Sequence, residues 1–82
     1  MYLSVIDVKP QPNFRLVLTF ENKERRLLDM NSYLECGKFA ELKNAKLFNS
    51  VKIKFDTIEW SNKLDLDPEF LYDNSVIIED TE

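Results

Sequence analysis

The chain has 82 residues and a formal net charge of −4, which correspond to a single acidic domain. It contains no histidine, so Ser–His and Cys–His catalytic pairs and the commonest zinc ligand are excluded. A single glycine is too few for a glycine-rich phosphate loop, and the acidic balance argues against direct binding to nucleic acid.

The cysteine content and the N-terminal sequence bear on the compartment. Cys36 is the single cysteine and cannot form an internal disulfide, which favours a reducing compartment. It precedes Gly37 at a predicted helix C-terminus, where we expect a buried or half-buried apolar filler and not a nucleophile. The first residues lack the pattern of a signal peptide, and no apolar run is long enough to span a membrane. The sequence therefore predicts a soluble cytoplasmic protein.

The first two predicted strands differ in how regularly they alternate. Residues 3–9 alternate imperfectly, which indicates either a strand covered on both faces or a strand with a bulge. Pro10 and Pro12 are predicted to end this strand, since proline cannot serve a central hydrogen-bond ladder. Residues 14–20 form the clearest strand, in which alternate apolar residues from Phe14 onward share one face.

A hairpin turn and a third strand follow. The turn occupies residues 21–24, and the strand occupies residues 25–30. Two registers are open at this stage, because either Leu28 and Met30 or Leu27 can face the core.

Short helical turns connect this strand to the next ones. Asn31 or Ser32 is predicted to cap a first turn, which Gly37 ends. Asn44 is predicted to cap another turn over residues 45–48. These pieces are too short to be stable alone, so we expect them to pack on the sheet.

Two further strands are predicted before the last helix. Residues 51–55 alternate, so we expect their apolar side chains, Phe55 included, to point inward and both lysines outward. Residues 57–60 follow as a strand in which Ile58 and Trp60 share one face.

The last helix has a strong start signal after a turn at residues 61–63. Asp67 can accept hydrogen bonds from the first turn, and Pro68 suits the first helical position. Glu69 adds negative charge near the positive end of the helix dipole. Together the elements predict an α+β fold with a small, mostly antiparallel sheet of about five strands and short helices.

The C-terminal segment is set apart from the predicted domain. We assign residues 1–75 to a single α+β domain and residues 76–82 to a tail that is first β-prone and then acidic. One interpretation of the tail is an edge strand or a frayed end with charged residues that discourage aggregation. The other is a segment that orders on a partner by adding a strand to the edge of its sheet.

Two groups of residues are candidates for chemistry. Glu59, Asp65, Asp67 and Glu69 form a local acidic cluster of the kind that binds hard cations, but a calcium loop would need later ligands and a glycine. We therefore predict no metal, no cofactor and no catalytic residue. Trp60, together with Asn62 and Tyr72, either lines a shallow binding surface or is a core tryptophan whose N–H meets a backbone carbonyl.

Several segments share their pattern with one known family. They read Val5-x-x-Val8-x-Pro10-x-Pro12, Leu16-x-Leu18-x-Phe20-Glu-Asn, Phe39-x-x-Leu42-x-Asn-x-x-Leu47-Phe48, Val51-x-x-x-Phe55 and Ile58-Glu-Trp60-x-Asn62-x-x-Asp65-Leu-x-Pro68-Glu-x-Leu71-Tyr72. In these segments the chain resembles the bacterial domain-of-unknown-function 2442 family, over about residues 2–75. The last segment is the most specific of them. Asp56, Ser61 and Lys63 depart from the glycines and proline that the family often has there.

The resemblance implies a small α+β domain with no accepted enzymatic activity. Longer members append a helix-turn-helix, which is absent from this sequence. Some members are similar to the second partner of small two-gene modules, in the manner of toxin–antitoxin pairs. The resemblance is to the family as a whole, and it assigns no functional residue to this chain.

The function predicted from the sequence is a non-catalytic protein-interaction module, antitoxin-like and paired with another small protein. One alternative is a transcription-linked regulatory domain that acts through a partner or oligomer. Another is a small-ligand-binding domain around Trp60, Asn62 and Asp65. We expect no membrane association, and the open edges of the sheet favour a homo-oligomer. The candidate interaction surface comprises Trp60, Asn62, Asp65, Tyr72, Val76, Ile77 and Ile78.

Overall fold

The structure is a computed structural model that describes residues 3–79. It contains two antiparallel sheets and a few short helices, so the predicted α+β class is confirmed. The described strands number seven where about five were expected. The difference arises because β-prone residues near the C-terminus join the first sheet and a two-residue strand joins the second.

Four strands form the larger sheet, in the order β1-β2-β3-β7, and each neighbouring pair is antiparallel. β1, β2 and β3 follow one another in the chain, whereas β7 follows β3 only after the helices and the strands of the smaller sheet. The strands are β1 (Val5–Gln11), β2 (Arg15–Phe20), β3 (Arg25–Asp29) and β7 (Val76–Glu79).

The smaller sheet has the order β4-β5-β6 and is also antiparallel. Its strands are β4 (Lys52–Lys54), β5 (Thr57–Glu59) and β6 (Asp65–Leu66). The two sheets are joined by a hydrogen bond of 2.9 Å from the backbone N–H of Val5 to the carbonyl of Asp56.

The helical segments are short, as expected. Asn44 caps α1, since its side-chain oxygen accepts bonds from the amides of Lys46 and Leu47 at 2.9 and 3.2 Å. Asp67 caps α2 by accepting a bond of 3.0 Å from the amide of Glu69, with Pro68 as the first helical residue. The segments are two 3₁₀ helices at Asn31–Tyr33 and Gly37–Lys43, α1 (Ala45–Phe48) and α2 (Pro68–Asn74).

A single apolar core lies between the sheets and the helices, and it settles the register of β3. Leu28 pairs with Leu16 and is buried, as is Met30, so the first of the two registers is the observed one. The buried apolar residues are Val5, Leu16, Leu18, Phe20, Leu28, Met30, Leu34, Leu42, Phe48, Ile58, Trp60 and Leu71.

β1 corrects the prediction that Pro10 ends the strand, and it explains why residues 3–9 alternate imperfectly. The strand does not end at Pro10, which pairs with Leu16 and lies inside β1. Proline is tolerated here because β1 is an edge strand, whose outward N–H groups need no ladder partner. The register shifts between Val5 and Asp7, so a bulge accounts for the imperfect alternation.

The expected cap and end of the first helical turn are also wrong. Neither Asn31 nor Ser32 caps Asn31–Tyr33, because the N-cap residue is Met30, and the Asp29 carboxylate accepts a bond of 2.9 Å from the backbone N–H of Asn31. Gly37 begins the following 3₁₀ helix instead of ending the first. Cys36, just before it, is exposed and is not the apolar filler that was expected.

Phe55 is a further correction. It lies beyond the end of β4, in the turn to β5, with a φ of 56°, and its side chain is 88% exposed. Alternation along residues 51–55 predicted an inward side chain. The turn changes the backbone direction at this residue, so the alternation no longer holds.

Candidate functional site

Trp60 is a core residue in the structure. Its side chain is fully buried, and its indole Nε1 donates a hydrogen bond of 3.0 Å to the backbone carbonyl of Phe48. The structure therefore agrees with the second of the two interpretations of this tryptophan. Its role is to link the end of β5 to α1.

Asn62 and Asp65 follow Trp60 closely in the sequence, and both lie at the surface. Their side chains have different surroundings. The Asn62 side chain donates to the Glu41 carboxylate at 2.9 Å and accepts from the amide of Leu64 at 3.2 Å, which stabilises the turn. Asp65 is exposed on β6, opposite Glu59. The structure thus places Trp60 in the core and Asp65 on the surface, and the three residues share no binding surface.

Tyr72 attaches α2 to the larger sheet. Its ring packs edge-on against Phe20 with centroids 5.1 Å apart, and the Arg26 guanidinium lies 4.1 Å from its centroid. Its hydroxyl donates a hydrogen bond to the Glu24 carboxylate. This bond lowers the pKa of Glu24, which Arg26 lowers further, and it raises the pKa of Tyr72.

The candidate residues near the C-terminus form an edge strand. β7 pairs with β3, with Val76 opposite Leu27 and Ile77 opposite Arg26. Three consecutive side chains on it are exposed, at 66% for Val76, 42% for Ile77 and 48% for Ile78. Residues 80–82, which end the predicted tail, lie outside the described residues.

A groove of about 520 Å³ lies along the smaller sheet, and the sequence indicated only some of the residues that line it. Three members of the predicted acidic cluster line it, but Phe55 was assigned to the core. A sequence signal for Phe55 exists, because a hairpin loop usually carries Gly, Asn or Asp and seldom an aromatic residue. The lining residues are Lys54, Phe55, Asp56, Thr57, Glu59, Asp65, Asp67 and Pro68.

The groove has an acidic electrostatic character. Four lining residues carry carboxylates, and Lys54, the one cationic side chain that lines the groove among residues 3–79, lies 3.4 Å from the carboxylate of Glu59. Glu59 itself is only 7% exposed, so it is the buried member of this pair, whereas Lys54 is exposed. The Thr57 hydroxyl donates a hydrogen bond to the carbonyl of Leu66 and so attaches β5 to β6 beside the groove.

This arrangement suits a cationic group presented by a larger molecule better than a bare metal ion. Over residues 3–79 no three Asp, Glu, Cys or His side chains converge closely enough to ligate a metal. One carboxylate, Asp67, is already engaged as the cap of α2. The groove is open and carries negative charge beside an exposed aromatic ring.

The family model for proteins of unknown function, DUF2442, matches residues 5–76. The chain belongs to the DUF2442 family. Neither the curated proteins nor the solved structures contain a match to it. The family match carries no activity with it.

Within residues 3–79, no helix has the length and apolar content needed to cross a membrane.

Proposed function

We propose that this DUF2442 protein is a non-catalytic interaction module that binds a small basic protein, as the antitoxin-like member of a pair. The observation that carries this proposal is Phe55, whose side chain is 88% exposed beside the acidic groove. Aromatic side chains contribute much of the binding energy at protein interfaces, where a partner removes them from water. Packing within residues 3–79 leaves this ring almost entirely exposed.

The backbone at Phe55 supports the same proposal. Its φ of 56° lies in the left-handed region, which is unfavourable for a bulky side chain. Gly or Asn would fit this turn with less strain. A residue that is both strained and exposed contributes little to folding, and strain of this kind is concentrated at binding sites and other functional sites.

The charge of the groove supports a basic partner. Glu59, Asp65 and Asp67 line it with carboxylates, and among residues 3–79 the cationic side chain that lines it is Lys54. A lysine or arginine of the partner would enter this groove while Phe55 packs against an apolar patch beside it. Complementary charge accelerates encounter and makes binding sensitive to salt.

Affinity purification of the tagged chain from its native cells, followed by mass spectrometry, tests the proposal. We expect a small basic protein in stoichiometric amount, which is released as the salt concentration rises. Asp65→Asn removes one charge from the groove and should reduce recovery of the partner. Asp73→Asn is the matched control, because Asp73 is equally exposed but lies on α2 and does not line the groove.

Two results would refute the proposal. One is recovery of the chain with no basic protein at low salt. The other is equal recovery of the partner by the two variants, which would mean that the groove takes no part in binding.

A further inference from the structure

We propose that the acidic groove binds an arginine side chain of the partner between Glu59 and Asp65, and that Lys54 occupies this place in the free protein. The inference rests on the proposed function and deepens it, because it names the chemical group that the basic partner presents. It also gives a role to Lys54, the cationic side chain that lines the groove among residues 3–79.

Glu59 and Asp65 lie directly opposite each other in the smaller sheet. They are partners in the register of β5 and β6, and both line the groove, so their side chains lie on the same face. The Cβ atoms of opposite residues in an antiparallel pair are about 4.5–5.5 Å apart, and like charges in these positions destabilise a sheet. A cation bound between the two carboxylates would remove this repulsion.

The two carboxylates differ in their exposure. Glu59 is only 7% exposed, whereas Asp65 is exposed. A carboxylate that is largely removed from water is unfavourable unless a cation or hydrogen-bond donors compensate its charge. A ligand that bonds both residues must therefore extend inward from the surface, as a long side chain of a partner can do.

Lys54 compensates the charge of Glu59 only weakly. Its Nζ lies 3.4 Å from the Glu59 carboxylate, and its side chain is 45% exposed. Elsewhere in the chain, Arg26 and Glu24 form an ion pair of 2.8 Å, the usual length of a charge-assisted hydrogen bond. An exposed ion pair contributes little to stability, so a stronger donor can displace Lys54 at small cost.

The place between the carboxylates favours a guanidinium over an ammonium group. A guanidinium presents its N–H donors as a planar fork, so it can bond two carboxylates at once, and it also packs on aromatic rings. Phe55, which is 88% exposed, lines the same groove. The chain already contains this combination at Arg26, which bonds Glu24 and lies 4.1 Å from the ring centroid of Tyr72.

Titration of the full chain with hexa-arginine and with hexa-lysine, followed by NMR of the backbone amides, tests the inference. The two peptides carry the same charge, so a general attraction to an acidic protein would treat them alike. We expect hexa-arginine to bind at least about threefold more tightly and to shift the amides of Glu59 and Asp65 most. Equal affinities, binding of neither peptide, or shifts centred away from β5 and β6 would overturn the inference.

Asp65→Asn tests the pair of carboxylates. This exposed substitution removes one of the two acceptors, so the preference for hexa-arginine should disappear. Asp73→Asn changes the net charge equally but lies on α2, outside the groove, and should keep the preference. A preference for hexa-arginine that persists in Asp65→Asn would also overturn the inference.

Lys54→Met tests the displacement. The peptide no longer has to displace an ammonium group from Glu59, so this variant should bind hexa-arginine at least about threefold more tightly than wild type. Lys52→Met is the matched control, because Lys52 is exposed on the same strand and opposite Glu59 but does not line the groove. Equal affinities of the two variants would mean that only the net charge matters, and would contradict a displaced Lys54.

The peptide titrations and the capture of a partner from cells can fail separately. A basic protein that is recovered through Phe55, from a chain that binds both peptides equally, would refute only this inference. A preference for hexa-arginine that Asp65→Asn abolishes, in a chain that recovers no basic protein from cells, would refute only the proposed function.

Discussion

The indole nitrogen of Trp60 donates a hydrogen bond of 3.0 Å to the carbonyl of Phe48, and both side chains are buried. Their ring centroids are 6.3 Å apart. The bond connects the residue that follows β5 to α1, and β5 contributes Thr57 and Glu59 to the acidic groove. Trp60 therefore supports the candidate site from within the core, without touching it.

Replacing this tryptophan should destabilise the fold. Trp60→Phe would leave the Phe48 carbonyl without its partner and open a cavity, so we expect the free energy of unfolding to fall by about 2–4 kcal/mol. Denaturant unfolding followed by circular dichroism measures this difference. A loss well below about 1 kcal/mol would mean that the buried hydrogen bond does not hold the core together.

The cap of α2 gives a second prediction. Asp67→Ala removes the acceptor for the Glu69 amide and should lower the free energy of unfolding by about 1 kcal/mol. Asp73→Ala, near the other end of the same helix, is the control. It removes a negative charge from the negative end of the helix dipole, so it should be neutral or slightly stabilising. Equal losses in the two variants would argue against capping.

The bond between Tyr72 and Glu24 predicts a pH dependence of stability. The folded-state pKa of Glu24 lies below its ordinary value of 4.5, chiefly because of the Tyr72 hydroxyl. The stabilisation is therefore fully present above 4.5 and is lost as the pH falls through the folded pKa. For Tyr72 the pKa is raised above 10.0, so its contribution is present below that value and is lost as the pH rises further.

Tyr72→Phe isolates this effect, because it keeps the ring against Phe20 and Arg26 but removes the hydroxyl. The stability difference between wild type and variant should be largest near neutral pH and should shrink in acid. Thermal unfolding across the pH range measures it. Tyr33→Phe, in which the ring against Phe70 is retained, is the control for the loss of a tyrosine hydroxyl. A pH-independent effect of Tyr72→Phe would contradict the assignment.

Relief of strain at Phe55 gives a fourth prediction. Asn tolerates the left-handed backbone better than Phe, so Phe55→Asn should raise the free energy of unfolding by about 1 kcal/mol. Lys23→Asn is the matched control, because Lys23 is also exposed and has a φ of 77°. Denaturant unfolding should show that both variants are at least as stable as wild type. A clear loss in Phe55→Asn would mean that the ring stabilises the fold.

Local signals predicted local structure well. Asn44 and Asp67 cap the helices that their sequences indicated, since a cap depends on only a few neighbouring residues. The alternation from Phe14 to Phe20 likewise predicted the buried face of β2, although the strand begins at Arg15 and Phe14 lies in the preceding turn. These features need no knowledge of the rest of the chain.

Features that depend on tertiary context could not be predicted from the sequence. Phe55 continues an apolar alternation, and only the turn that follows β4 shows that it points to solvent. Asn31 had the composition of a cap, but Asp29 and the distant Asn13 carbonyl bind its side chain. The groove was found only in part, because it combines a hairpin turn with the start of α2, and its exposed ring was assigned to the core.

The most direct test of the account is the amount of basic partner that Phe55→Asn recovers from native cells, relative to wild type and Lys23→Asn. The account predicts that Phe55→Asn is folded and at least as stable as wild type, yet loses most of the partner, while Lys23→Asn retains it. Recovery of the partner by Phe55→Asn at the wild-type level would contradict the claim that the exposed ring beside the acidic groove is the docking site.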